Sequence, residues 1–170
     1  MGPDTTLLLQ AVDAVQDAPD LDGVVTSLAR VLRSRFDLWH LSACSLGTGS
    51  PNVTILASWT IAESVLTAGT EVAATITPAA AMLLAQVGDG RPVHTKIGAN
   101  SESIIDYLMF EQGVRQASLQ TVHRDELGMV FLVFGSGRDD LLPATPAAFF
   151  AGLAAGIRPR VLELTHLSST

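Results

Sequence analysis

Hydrophobic and polar positions follow two different periods in the first third of the chain. In residues 5–18 and 20–36, apolar side chains recur three or four positions apart, the period of an amphipathic helix. In residues 38–46 and 53–59, apolar and polar positions alternate instead, and the turn-forming sequence GTGSPN separates the two segments. The pattern therefore predicts two helices followed by a β-hairpin.

The rest of the chain continues this mixture of short strands and helices. Alternating segments predict four more strands, at residues 69–76, 91–97, 114–122 and 128–136. Helical periods that open at Pro78 and at a capping Ser101 predict two middle helices, at residues 78–88 and 101–113. The last helix covers residues 145–165, and Pro159 should kink or interrupt it. No repeat or long linker divides the sequence, so residues 1–170 are predicted to form one α+β domain with terminal helices at about 5–35 and 145–165.

Composition narrows the function classes. Hydrophobic residues make up 48% of the chain and charged residues only 16%, so we expect some apolar surface to be buried against a partner. Two apolar terminal helices with few charges predict a homodimer that pairs through them. The net charge of -7 and the ten scattered Lys and Arg residues argue against direct nucleic-acid binding.

Membrane and secretion signals are missing from the pattern. The longest uncharged, mainly apolar run, residues 145–157, is too short to cross a bilayer, and the N-terminus has no basic flank of a signal peptide. Cys44 is the only cysteine, which excludes an intrachain disulfide and a thiolate metal cluster. We therefore expect a cytoplasmic protein with no membrane partner.

A His-Arg-Asp triplet at residues 123–125 raises the question of catalysis. In protein kinases such a triplet is followed, five residues after the Asp, by a metal-binding Asn, but Val130 occupies that place here and no Asp-Phe-Gly follows. The flanking segments alternate as strands do. The triplet is therefore predicted to be the polar turn of a hairpin, where alanine substitutions should each change stability by less than about 1 kcal/mol.

The same region resembles the closing hairpin of a GAF domain, a family of small-molecule-sensing and signalling domains. The matching positions are Gly113, Val114, Arg115, Gly128 and the apolar run 129–134. Residues 87–95 resemble the Gly-Arg-Pro-Val segment after the family's middle helix, and residues 28–46 resemble its opening helix and first strand. The resemblance, over about residues 5–165, implies a GAF-like or PAS-like central antiparallel sheet. Terminal helices would lie on one face of this sheet, and middle helices would cover a pocket on the other.

Departures from the family pattern argue against three kinds of ligand that other members of the family use. Gln116 and Thr121 stand where the family often has Ser and Pro, and the pattern of cyclic-nucleotide-binding members is not visible. Members that reduce free methionine sulfoxide use several cysteines, whereas this chain has one. Members that attach bilins use a Cys near a His in the pocket, which a Cys44 on the first strand matches poorly.

The resemblance and the alternation of the closing hairpin together predict a ligand site. Its floor would be one face of the hairpin, and its other members would come from the second strand and the two middle helices. The candidate ligand-binding residues are Trp59, Met82, Ile105, Tyr107, Leu108, Ala117, Leu119, Thr121, Met129 and Phe131. This mostly apolar lining, with Thr121 and Tyr107 as polar groups, favours an aromatic or otherwise apolar metabolite. The alternative is that these residues are ordinary core.

No catalytic or metal-binding constellation is evident. The four histidines do not pair with metal ligands at a suitable spacing, although His94 is the candidate for a haem ligand of the kind some sensor members use. There is no Gly-x-Ser-x-Gly motif. We therefore expect neither an enzyme nor a metal protein, and the sequence leaves any cofactor unknown.

The function hypothesis is a sensory or regulatory GAF-like module of a bacterial signal-transduction or transcription-regulation system. It would bind a small molecule and signal through its terminal helices. Two alternatives stay open, namely a ligand-free structural dimerisation module and an enzyme with Cys44 as nucleophile.

Overall fold

The computed structural model describes residues 2–61, 67–73, 78–98 and 104–168, without the side chains of residues 3, 78–81, 104–107 and 166–168. These residues form five helices and six strands. In chain order they are α1 (Pro3–Ala14), α2 (Leu21–Phe36), β1 (Leu38–Gly47), β2 (Asn52–Thr60), β3 (Glu71–Ala73), α3 (Pro78–Gly88), β4 (Val93–Lys96), α4 (Ile104–Glu111), β5 (Gln116–Asp125), β6 (Gly128–Ser136) and α5 (Ala147–Ser168).

The strands form one sheet in the order β3-β2-β1-β6-β5-β4, and every neighbouring pair is antiparallel. The first and last hairpins therefore meet along β1 and β6 in the middle of the sheet. Three strands carry an extra residue opposite a partner, because Trp39 in β1, Leu56 in β2 and Val122 in β5 have no counterpart in the ladders with β6, β1 and β6 respectively. Such bulges shift which side chains point to each face.

One side of the sheet, the terminal-helix face, is covered by α1, α2 and α5. Its core is rich in aromatic rings, and the Phe150 ring lies 5.6 Å from Phe134, 5.8 Å from Phe149 and 6.1 Å from Phe36. The opposite side, the middle-helix face, is covered by α3 and α4, with Leu84 and Val87 of α3 among its buried residues. The predicted α+β class and this division of the helices are confirmed.

Local chemistry explains how the chain enters the sheet. The Asp20 carboxylate accepts a hydrogen bond from the Gly23 backbone at 2.7 Å and caps the start of α2. Asp37 ends the helix in the left-handed conformation, at φ 48°, and β1 begins at the next residue. The amphipathic stripe of α2 is thereby fixed against β1 and β2.

The structure differs from the prediction at Pro159. Pro159 does not interrupt α5, since the helix continues to Ser168. A proline removes one backbone donor, and the buried Ile157 and Val161 on either side hold the helix onto the sheet. The predicted cap at Ser101 and the end of the predicted strand 69–76 lie outside the described residues.

Candidate functional site

Five of the predicted ligand-binding residues share the middle-helix face of the closing hairpin. Leu119 pairs with Val133, and Thr121 with Phe131, so alternate side chains of β5 and β6 point the same way. The apolar members are nearly or fully buried, from 2% exposed for Phe131 to 9% for Met129. The members of this shared floor are Ala117, Leu119, Thr121, Met129 and Phe131.

Two other predicted residues are not brought to this floor. Trp59 packs against the core of the terminal-helix face, because the extra residue Leu56 reverses the alternation of β2 beyond Ile55. Met82 is 65% exposed on the outer side of α3, while Leu84 points to the sheet.

The three predicted residues of the second middle helix lie on α4. Leu108 packs, half-buried, against the floor. Ile105 and Tyr107 belong to the same helix, but their side chains lie outside the described part of the structure.

A chain of polar side chains on β1 joins the apolar floor. His40 Nε2 lies 2.9 Å from Ser42 Oγ, which lies 3.6 Å from Cys44 Sγ, and all three residues are at most 4% exposed. Sequence reasoning missed this group by treating each residue alone. The signal was the polar side chain at every second position of β1, which places His40, Ser42 and Cys44 on one face.

Burial fixes the charge state of this polar chain. Desolvation lowers the pKa of His40 to about 4, since a buried imidazolium loses its hydration. It raises the pKa of the Cys44 thiol to about 11, and the hydrogen bond with Ser42 offsets part of that rise. At neutral pH the imidazole is therefore uncharged and the thiol protonated, a state that disfavours Cys44 as a nucleophile.

The surroundings of His40 are small and closely packed. Gly135 lies opposite His40 in the ladder, and a Cβ at this glycine would lie 3.0 Å from His40 Cβ and 3.2 Å from Met109 Cε. Ala117 on β5 lies opposite Gly135, on the other side from His40. His40 Nδ1 is buried and has no hydrogen-bond partner among the residues that the structure describes.

The end of α3 is held by side chains of β5. Thr121 Oγ1 donates to the Val87 carbonyl, Arg124 Nη1 donates to the Gly88 carbonyl at 2.8 Å, and the Gln120 amide donates to the Gly90 carbonyl at 3.0 Å. The last carbonyls of a helix have no partners within it and carry its negative partial charge. Helix α3, which covers the apolar floor, is thus hydrogen-bonded directly to the closing hairpin.

The reading of the His-Arg-Asp triplet as a turn is wrong in detail. β5 continues through Asp125, and the turn consists of Glu126 and Leu127. The Asp125 carboxylate accepts from the Leu127 and Gly128 backbone amides, and hydrogen bonds from His123 and these amides lower its pKa.

The first two residues of the triplet point to opposite faces of the sheet. Arg124 binds α3, while His123 Nδ1 lies 3.1 Å from Arg158 Nη2 on α5 and its Nε2 lies 3.0 Å from Asp125 Oδ2. The hairpin tip therefore contacts a middle helix and the last terminal helix at once.

His94, the candidate haem ligand, lies on the wrong face for the predicted pocket. Its Nδ1 is hydrogen-bonded to Ser118 Oγ, and its ring packs edge-on against Phe150 of α5 at 5.9 Å. In the described part of the chain, no three His, Cys, Asp or Glu side chains are grouped as a metal would require. Nor do the helices in these ranges combine the length and hydropathy that a bilayer crossing needs.

A surface pocket of about 500 Å³ lies at the edge of the sheet, away from this floor. Arg138 in its wall is paired with Asp140 at 2.7 Å, and the Arg115 guanidinium stacks on Phe110 at 4.0 Å. The pocket is lined by Lys96, Ile97, Arg115, Gly137, Arg138, Asp139 and Asp140.

Comparison with known proteins decides the fold. A scan against protein-family models and a search of curated proteins give no match. Among solved structures, the GAF domain of an Acinetobacter phosphoenolpyruvate-protein phosphotransferase superposes with a TM-score of 0.71 at 10% sequence identity. The superposition covers 100% of this chain and 99% of that domain. This chain has the GAF fold. The phycocyanobilin-bound GAF domain of a cyanobacterial phytochrome superposes with a TM-score of 0.60 at 14% sequence identity. The superposition covers 96% of this chain and 98% of that domain.

A third GAF-like structure corrects one prediction. This structure is the free methionine-R-sulfoxide reductase from Neisseria meningitidis in complex with its substrate. It superposes with a TM-score of 0.67 at 15% sequence identity, over 96% of this chain and 91% of the reductase. The prediction that the chain is not an enzyme is therefore wrong, because an enzyme with a GAF-like fold shows that this fold does not exclude catalysis.

Proposed function

We propose that this chain is a sensory module that binds a small, mainly apolar or aromatic molecule between the middle-helix face and helices α3 and α4. The observation that carries the proposal is a buried polar chain, His40-Ser42-Cys44, beside the apolar floor of Leu119 and Phe131. A concave apolar surface with a few convergent polar groups is the usual composition of a small-molecule site. The phycocyanobilin-bound GAF domain supports the choice of fold for such a role.

The signal would pass to the terminal helices through the hairpin tip. Arg124 is bonded to the end of α3, and the adjacent His123 contacts Arg158 on α5. A ligand that repositions α3 would move Arg124, and the paired backbone of β5 would carry that movement to His123. We propose that this signal serves a bacterial, cytoplasmic signal-transduction or transcription-regulation system.

Pairing of two copies through the terminal helices would complete the signal path. Gly152 and Gly156 of α5 let α1 approach closely, since Cβ atoms there would lie 3.0 Å from Leu8 Cδ2 and 2.5 Å from Val12 Cγ2. Beside this contact Leu9 is 55% exposed on α1. We propose that two copies pair at this junction of the terminal helices, which sedimentation at micromolar concentration would test.

A ligand-free dimerisation module is the second candidate. The observation in its favour is the close packing of the middle-helix face, where Val87 of α3 and Val114 before β5 are fully buried. Leu119→Trp separates the two candidates. If the floor borders a ligand space, the indole occupies it, so ligand binding is lost and thermal stability changes little. In a solid core the same change costs about 1–3 kcal/mol through overpacking.

The experiment is a thermal-shift screen against metabolites, nucleotides and haem, repeated on the Leu119→Trp variant. Leu132→Trp is the matched control, because Leu132 is 1% exposed on the terminal-helix face and should be strongly destabilised in either case. A Leu119→Trp variant as unstable as this control, with no stabilising compound in the screen, would refute the sensory proposal.

A further inference from the structure

One nitrogen of the buried His40 ring has no hydrogen-bond partner among the described residues. A buried polar atom without a partner is costly, so most such atoms in folded proteins are hydrogen-bonded, and an exception calls for an explanation. His40 is 2% exposed, its Nε2 is engaged with Ser42, and its Nδ1 has no partner among the described residues. The ring lies on the same face as Met109 and Val114, beneath the middle helices.

We propose that His40 Nδ1 is the hydrogen-bonding group that recognises the ligand of the middle-helix face. The ligand is an uncharged, mainly apolar molecule with one polar atom directed at this imidazole. This inference rests on the proposed function and names the ligand class of the same site.

The absence of buried charge argues for an uncharged ligand. No Asp, Glu, Lys or Arg is buried among the described residues, so a charged ligand group beside His40 would lack a counter-charge there. On β6 and β5 the neighbouring positions are Gly135 and Ala117, which contribute little side chain, and on β2 the neighbour is Thr60, which contributes one uncharged hydroxyl. These neighbours favour recognition by a directed hydrogen bond from His40 within a mainly apolar contact.

Ser42 and Cys44 are positioning residues for this bond. A neutral imidazole has one donor nitrogen and one acceptor nitrogen, so the role of Nε2 toward Ser42 fixes the opposite role for Nδ1. Because Ser42 Oγ lies between His40 Nε2 and Cys44 Sγ, the direction of its hydroxyl proton selects the tautomer. The ligand atom is an acceptor if the hydroxyl donates to Nε2, and a donor if it points to Cys44.

Three bicyclic probes of similar size test the proposal on the full chain. Indole can donate a hydrogen bond from its ring nitrogen, 1-indanone can only accept one, and indene does neither. Binding is followed by the ¹⁵N resonances of the His40 ring and the methyl resonances of Leu119 and Met109. We expect indole or 1-indanone to bind about fivefold more tightly than indene, the effect of one hydrogen bond, and to shift the Nδ1 resonance.

A second pair of measurements uses matched variants. His40→Phe should abolish the preference over indene, whereas His94→Phe should keep it, because the His94-Ser118 pair lies on the opposite face. If His40→Phe does not fold, the Nδ1 resonance of the unaltered chain decides the question. Equal binding of all three probes, with methyl shifts but an unmoved Nδ1 resonance, overturns the role of His40 and leaves the proposed function standing. If no probe at millimolar concentration shifts the methyl resonances, both proposals fail.

Discussion

The two faces of the sheet are built from different kinds of side chain. On the terminal-helix face, Phe36, Phe134, Phe149 and Phe150 form one aromatic cluster beneath long helices. On the middle-helix face, a polar chain on β1 lies beside apolar residues, and the covering α3 is fixed at its end by side-chain hydrogen bonds. The first face has the larger aromatic core, while the second places a connected chain of three polar side chains beside its apolar residues.

Two histidine-serine pairs sharpen the contrast. His94 and Ser118 face α5, where the imidazole also packs on Phe150 and is only half-buried. His40 and Ser42 face the middle helices, where the imidazole is buried with one nitrogen unpartnered in the described structure. Desolvation lowers the pKa of both imidazoles. The same two residue types thus serve packing on one face and present an unused hydrogen-bonding atom on the other.

The largest expected effect compares one phenylalanine from each face. Phe150→Ala should lower the free energy of unfolding by about 3–5 kcal/mol, because it leaves a cavity among rings that hold α5 and α2 together. Phe131→Ala should cost less, since the middle-helix face is covered by shorter helices. Urea unfolding of the two variants measures both values. Equal losses would mean that the two faces contribute alike to stability.

A pH-dependent loss of stability should come from the middle-helix face. Burial lowers the pKa of His40 to about 4, whereas the unfolded chain has the ordinary value of 6.5. Between these values the unfolded state binds a proton that the folded state does not, so stability falls as the pH drops below 6.5. The full difference is about 3 kcal/mol and is reached near pH 4.

The control for this titration is His40→Phe, which should lose about 3 kcal/mol less than the unaltered chain between pH 7 and pH 4. The lowered pKa values of Asp125 and Asp140 add acid sensitivity of their own, but they are common to both proteins and cancel in the difference. Parallel pH profiles for the two proteins would show that His40 titrates normally.

The smallest expected effect tests the link between the faces. Arg124→Ala should lower the free energy of unfolding by about 1 kcal/mol, because it removes the exposed hydrogen bond to the Gly88 carbonyl. It should also speed amide hydrogen exchange near the end of α3. Glu126→Ala, in the exposed turn of the same hairpin, is the control and should change neither quantity measurably. Unchanged exchange in α3 would remove Arg124 from the proposed signal path.

Periodicity alone determined most of the framework. The helical stripe of α2 and the alternation of β5 and β6 depend on the polarity of neighbouring residues, so Leu119 and Phe131 were placed on one face correctly. The same rule failed where the backbone departs from regular geometry. The bulge at Leu56 turned Trp59 to the other face, and nothing in its local sequence marks that extra residue.

The tertiary structure decided the roles of the polar residues. A hydrogen-bond partner distant in sequence cannot be read from local pattern, as the contacts of Arg124 with Gly88 and of His123 with Arg158 illustrate. The exposure of Met82 depends on which side of α3 meets the sheet. His40, Ser42 and Cys44 could be placed on one strand face from the sequence, but their burial depends on the helices packed above them. Whether a polar residue is solvated, paired or left with an unused nitrogen is set by that packing, because desolvation depends on everything around the group.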